Sequence, residues 1–328
     1  MNAIISTLLG AIQLGEPVTD AGLTLIPVFG QFDGVPDFVT LGEALSTGTL
    51  MVTEVSQDGS VPTLKARNTG KAGVLILDGE ELAGAKQNRV LNTSVYLRPG
   101  AEIVIPVSCT EHGRWSYRSR EFVDSGHISA HAVRHATLES VTANVRSSGA
   151  YHSDQGRVWN EVALLQDRHS MHSPTMAARD VYEGMADSLR RRETAFVRVP
   201  GQLGLLALWV GRVVGLDVVG TADSYAKLHG RLVRSYALDA PPSRVASPDA
   251  DRRVAREWLV GMADAEVTQH ESPGDGVSYR LSGSDRVGSV LAVDGAILHA
   301  VAFATQVGPN IDDERYPGFF ERRERFPW

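Results

Sequence analysis

Residues 76–92 read ILDGEELAGAKQNRVLN and hold the densest chemistry of the chain. Three carboxylates (Asp78, Glu80, Glu81), two cations (Lys86, Arg89) and two amides (Gln87, Asn88) fall within a dozen positions. Gly79, Ala83, Gly84 and Ala85 lie among them, and such small residues let a ligand come close to the backbone. Lys86 and Arg89 suit phosphate oxygens. The carboxylates suit ribose hydroxyls, a divalent metal or an attacking water, with Glu80 or Glu81 as general base. The pattern is neither a Walker loop nor a dinucleotide fingerprint. A solvated loop whose charges pair with one another would have the same composition, and the residues alone leave both readings open.

A second group follows at residues 108–120, SCTEHGRWSYRSR, after a strand-like run, and loops at strand ends often carry function. Arg114 and Trp115 could hold an anion and stack on a flat ring, with Glu111 beside them. Cys109 and His112 are the elements of a nucleophile and its base. Against this, an intracellular cysteine commonly serves as a small buried apolar residue, and Trp115 could equally be a core aromatic. His127, His131, His135 and Glu139 recur every four positions. Two histidines one helical turn apart can share a metal, but His127 and His135 would stand about 12 Å apart on a helix. An exposed polar face accounts for the spacing, and no metal is expected. Gln155 and Trp159 would share a helical face behind Asp154, either as a ligand-facing amide and a stacking ring or as a packed helix start.

The elements that must position these groups can be read from periodicity. Ile5, Leu8, Leu9 and Ile12 predict a short N-terminal helix. Strand-like runs at 23–28, 50–55, 73–77, 90–97 and 103–107 are separated by turn signals such as Asp58-Gly59 and Pro99-Gly100. With a short helix over 38–48, capped by Thr40, they predict a β-rich unit over residues 1–123, folded as an antiparallel sandwich. Residues 124–194 read as helical, with helices over 155–168, capped by Asp154, and from Pro174 to about Arg192. Residues 195–306 read as an α+β unit, with hairpins at Gly211-Arg212 and Asp294-Gly295 and helices over 224–236 and 252–264. Residues 307–328 form a charged, aromatic tail. The fold class expected is therefore α+β.

The 328 residues suffice for about two domains. A net charge of −7 argues against general nucleic-acid binding, which needs a surplus of cations. One cysteine excludes an internal disulfide and fits a cytoplasmic setting. The apolar stretches are too short for a transmembrane helix. The residues name no cofactor and fix no oligomeric state.

Taken together, DGEELAGAKQNRVLNTSV at 78–95, IPVSCTEHGRWSYRSREF at 105–122 and DQGRVW at 154–159 resemble the ARG and Rhodanese-Phosphatase-superfamily-associated protein domain, in which ARG denotes ADP-ribosylglycohydrolase. A looser likeness continues through GQLGLLALWVGRVVGLDVVG, SYALDA and the final hairpin. The resemblance implies a role beside enzymes of NAD-derived nucleotide metabolism, and so a small anionic ligand of the ADP-ribose type, bound and, as a further step, hydrolysed. Asp78, Gly84, Lys86, Gln87, Asn88, Arg89, Glu111, Arg114, Trp115, Gln155 and Trp159 would then form the binding site, with Glu80 or Glu81 catalytic. In this scheme Lys86 and Arg89 hold phosphates and Trp115 stacks on a base. The alternative is a non-catalytic interaction or scaffold module that presents the 78–92 segment as a surface. The ligand reading requires distant polar segments to fold into a single charged hollow.

Overall fold

The computed structural model describes residues 2–56, 62–114, 119, 121–242 and 248–305. The expected turn at Asp58-Gly59, the residue Trp115 and the tail at 307–328 lie outside the described residues.

Apolar runs in the first and last thirds of the chain pair with one another. The strand Leu23–Gly30 lies beside Gln202–Trp209, and antiparallel pairing continues through Arg212–Val219, Ala296–Ala304, Arg286–Val293, Val277–Ser282 and Glu266–Glu271. Two short strands, Ile12–Leu14 and Val18–Asp20, complete a nine-stranded sheet on the outer side of Leu23–Gly30. Its central strands are buried on both faces and so read as continuous apolar runs rather than alternating ones. One face is covered by Ile5 and Leu8 of the helix Ala3–Ala11 and by Ala255, Trp258 and Leu259 of the helix Pro248–Gly261. The other face meets the helices His131–Ser148 and Ala222–Asp239. Both hairpins form, the second where expected and the first one residue earlier than the expected Gly211-Arg212, since Arg212 already pairs with Trp209. Val210-Gly211 and Asp294-Gly295 have positive φ at both positions, as the tight turns that match strand twist require.

A second, antiparallel sheet of six strands runs in the order Phe122–Ile128, Glu80–Gly84, Arg89–Leu91, Glu102–Cys109, Thr63–Asn68 and Leu50–Glu54. A bridge between Thr53 and Glu121 brings its two edges together, so the sheet curls round its own core of Val52, Leu64, Ala66, Leu82, Leu91, Ile105 and Val107. A small third sheet, with Gly73–Ile76 between Val95–Leu97 and Phe38–Thr40, includes one parallel pair. The fold is thus α+β with mainly antiparallel sheets. The segment 1–123 is divided between sheets: strands within residues 12–30 join those of the last third, Phe38–Thr40, Gly73–Ile76 and Val95–Leu97 form the small sheet, and the remaining strands from Leu50 to Cys109 form the curled sheet with Phe122–Ile128.

Local differences have local causes. The single helix expected from Pro174 to Arg192 is two helices, Ala178–Gly184 and Ala186–Ala195. The Ser173 hydroxyl accepts the Ala177 amide, and Met176 sits at positive φ, so the helix opens later than Pro174 suggests. Residues 90–97 form two strands in different sheets, separated by Asn92, Thr93 and Ser94. Thr40 and Asp154 cap their helices as expected, Thr40 in a reciprocal capping box with Glu43.

Candidate functional site

The segment 78–91 is not a solvated loop. It is a hairpin of Glu80–Gly84 and Arg89–Leu91, and all of its residues are buried except Gly84, which is half-buried. A strand sends successive side chains to opposite faces, so this hairpin divides its charges instead of gathering them. Arg89 lies opposite Leu82 on one neighbour and opposite Cys109 on the other, so it points into the curled sheet. Glu81 lies opposite Val90 and turns outward, where its carboxylate accepts the Thr110 hydroxyl at 2.8 Å. Glu80 accepts the Leu77 amide at 2.8 Å and meets Arg231, which also holds Asp124. Asp78 faces the nine-stranded sheet.

One part of the expected set does converge. At one end of the curled sheet Arg89 donates to the side-chain amide oxygen Oε1 of Gln87 at 2.8 Å, and the Cys109 thiol donates to the same oxygen at 3.2 Å. Arg114 clamps the hairpin turn by donating to the carbonyls of Ala85 (2.8 Å) and Gly84 (3.2 Å) and to the Glu111 carboxylate (2.7 Å). Glu111 also accepts the Asn88 amide and the Thr175 hydroxyl. Gln155 fastens the next layer: its amide accepts from the Cys109 backbone N–H at 2.8 Å and donates to the Cys109 carbonyl at 2.9 Å. Lys86, 9% exposed, sits on the clamped turn. Trp159 is half-buried and packs edge-on to His112 with ring centroids 4.2 Å apart.

Burial sets the electrostatics here. It lifts the Glu81 carboxyl from its ordinary 4.5 to about 7, against the Thr110 hydrogen bond that favours the anion. It does the same to Glu80, also to about 7, against the pull of Arg231. Burial works on Glu111 in the same direction, but the Arg114 pair and the Asn88 amide outweigh it and hold that carboxyl below its usual range. Cys109 is fully buried and burial pushes its thiol up. His112 is exposed, and the thiol's partner is an amide, so Cys109 is not a nucleophile with His112 as its base. The four-residue histidine spacing is not one helical face: His127 lies on Phe122–Ile128, and only His131 and His135 share a helix, stacked at 6.0 Å.

The single charged hollow expected from the sequence is therefore not what the hairpin forms. Two cavities, of about 460 and 340 Å³, open elsewhere, the first beside Thr142, Arg146 and Arg286 and the second beside Pro106, Tyr151 and Glu271. The segment 78–91 also does not present the flat docking surface required by the scaffold alternative, because neighbouring elements bury its side chains on both faces.

The family model of the ARG and Rhodanese-Phosphatase-superfamily-associated Protein domain matches residues 11–303, spanning both large sheets. The chain belongs to this domain family. Comparison with curated proteins and with solved structures gives no match. Within this family member parts of three segments meet at one place: the hairpin at 84–89, the strand end at Cys109 that pairs with it, and the helix start at Gln155 that caps that strand end.

Sequence reasoning missed a second polar cluster, between the curled sheet and the nine-stranded sheet. Arg134, wholly buried, donates to Asp78 (3.2 Å) and to both carboxylate oxygens of Asp217 (2.5 and 3.0 Å). Tyr236 donates to Asp217 at 2.7 Å. Ser94 bonds His299 Nδ1 at 2.8 Å and donates to Asp78 at 3.2 Å, while His299 Nε2 stands 3.4 Å from Asp217. Burial alone would raise the Asp217 carboxyl, but Arg134 and His299 hold it far below its usual range. Ser94, His299 and Asp217 have the types of a nucleophile relay, yet all are at most 2% exposed and the hydroxyl is also engaged with Asp78. The arrangement is a tie between sheets. A signal for it was present: Asp217 interrupts VVGLDVV, His299 interrupts AILHAVAFA, and Arg134 falls on the buried stripe with Leu138, Val141 and Val145. A charge inside an apolar run implies a buried partner.

Proposed function

We propose that this protein binds a small anionic ligand of the ADP-ribose class at the end of the curled sheet where Lys86, Arg89 and Arg114 meet. That convergence of three cations on one clamped turn is the observation that supports the reading. Arg89 and Arg114 are enclosed and bonded within the fold, so they act through their field. Lys86, the most exposed of the three though itself largely buried, is the group for direct contact with a phosphate. Gln87 and Asn88 add amide groups beside it. The family's association with ADP-ribosylglycohydrolases supports the choice of ligand class.

The same geometry favours binding over hydrolysis. Glu80 is engaged with Arg231 and Leu77, and Glu81 lies on the opposite face of the hairpin from Arg89. Neither is aimed at a ligand held by the cations, as a general base must be. No helix among the described residues is long and apolar enough to cross a membrane. With the net charge of −7, this supports a small-molecule partner rather than nucleic acid, in the cytoplasm.

Calorimetric titration with ADP-ribose tests the reading. Wild-type protein should release heat with saturation, and Lys86→Gln should weaken binding about tenfold, the scale of one lost charged hydrogen bond, with an unchanged melting temperature. Absence of heat from the wild type would sink it.

A further inference from the structure

The strand Val277–Ser282 carries Arg280 into the interior, where it is 1% exposed. Its register places Thr268 opposite on one neighbouring strand, Ser289 opposite on the other, and Ser278 two positions away on the same face. From the loop between Arg89–Leu91 and Val95–Leu97, the Thr93 hydroxyl accepts from Nη2 at 2.6 Å. Four hydroxyl residues therefore surround this guanidinium, and no carboxylate of the described residues lies in salt-bridge contact with it. Nε and Nη1 are shut off from solvent and make no hydrogen bond.

A buried guanidinium is nearly always satisfied by acceptors, because it carries five N–H donors and no acceptor of its own. Hydroxyls also donate. The Tyr151 hydroxyl and, farther off, the Asp78 carboxylate also act on Arg280, and His270 bonds Thr268 on the same face, but none of them is an ion-pair partner in contact, which leaves the guanidinium suited to an oxyanion. The neighbouring Tyr151 supplies a way in. Its ring lies under the guanidinium, with Cζ 5.0 Å from the ring centroid, and the same residue lines the cavity of about 340 Å³. The ring is latched by one bond, from the Tyr151 hydroxyl to the Glu271 carbonyl at 2.7 Å. The Tyr151 backbone is held separately, by Asn92 donating to its carbonyl at 3.0 Å, so the side chain can swing without unfastening the chain.

We propose that Arg280 anchors a binding site for a small oxyanion group, phosphate or carboxylate, with Thr93, Thr268, Ser278 and Ser289 as its hydroxyl lining and Tyr151 as its door. The site lies on the nine-stranded sheet, away from the turn at Lys86, and does not depend on the function proposed above.

The test titrates inorganic phosphate and, separately, acetate into the full chain at constant ionic strength made up with chloride. Thermal unfolding and calorimetry provide the readouts. Wild-type protein should show saturable stabilisation by at least one of the two ions, and the tighter one identifies the group. Arg280→Met should abolish the effect, Ser289→Ala should weaken it several-fold, and Tyr151→Phe, which lacks the latch to Glu271, should bind more tightly. The same titrations are run in the Lys86→Gln background, so that phosphate taken up at the turn is separated from the signal of this site. No saturable effect of either ion on the wild type overturns the proposal, and so does an effect that persists in Arg280→Met. If Arg280→Met fails to fold, Thr268→Val and Ser289→Ala, which keep the charge, decide the matter: unchanged ion affinity in both overturns it.

Discussion

Replacing Glu81 with glutamine should stabilise the protein in alkaline solution and leave it unchanged in acid. Glu81 is 3% exposed, and its carboxylate accepts from the Thr110 hydroxyl, with Ser125 also acting on it. Burial raises its carboxyl from 4.5 to about 7. The sign follows from where the proton sits. Between these two pH values the folded protein keeps a proton that the unfolded chain has lost, so the neutral acid is well tolerated at low pH. Across that window stability falls by about 1.4 kcal/mol for each pH unit, and the loss is complete once pH passes about 7, where the buried group ionises too. The gap of about 2.5 pH units, at about 1.4 kcal/mol each, gives a penalty of about 3 kcal/mol well above neutrality. Glutamine keeps the acceptor for Thr110 and never ionises. Urea unfolding of the two proteins should therefore give equal stabilities at about pH 4 and below, and a glutamine variant about 3 kcal/mol more stable at about pH 8 and above. A difference that does not change with pH would refute the reasoning, because it would mean that Glu81 ionises in the fold as readily as in the unfolded chain.

Other expectations follow from the same packing. Arg134→Met strands Asp78 and Asp217 without their shared cation and should cost about 3–5 kcal/mol in urea unfolding; a loss below about 1 kcal/mol would show that the tie is solvated. Gly79→Ala should cost about 1–3 kcal/mol, since Gly79 has φ +79° and an added Cβ would stand 2.7 Å from Arg134 Cγ; an unchanged midpoint would contradict the close approach. The Cys109 thiol should resist a thiol reagent in native conditions and react only as the protein opens, so its labelling rate should rise with urea in step with unfolding. Fast labelling without denaturant would place the thiol at the surface.

Much of the local structure was legible because short-range forces decide it. The helix caps at Thr40 and Asp154 and the two positive-φ turns at Val210-Gly211 and Asp294-Gly295 depend on neighbours a few positions away. The helix expected from Pro174 failed for the same local reason, a competing side-chain bond from Ser173 to the Ala177 amide. The importance of the 78–89 segment was legible, but the role of its charges was not. A run of charge in sequence looks like a loop unless its partners are known, and those partners, Arg231, Thr110, Glu111 and Arg134, come from 23 to 151 positions away.

The sequence by itself determined the α+β class, the strands and hairpins, the membership of a domain family and the segments that meet at Cys109. Only the tertiary structure decided which way each charge faces. Periodicity states that neighbours on a strand diverge, but not which sheet or helix waits on either side. That choice sent Arg89 inward, Glu81 outward and Asp78 across to Arg134, and it placed Arg280 among hydroxyls contributed by residues up to 187 positions distant.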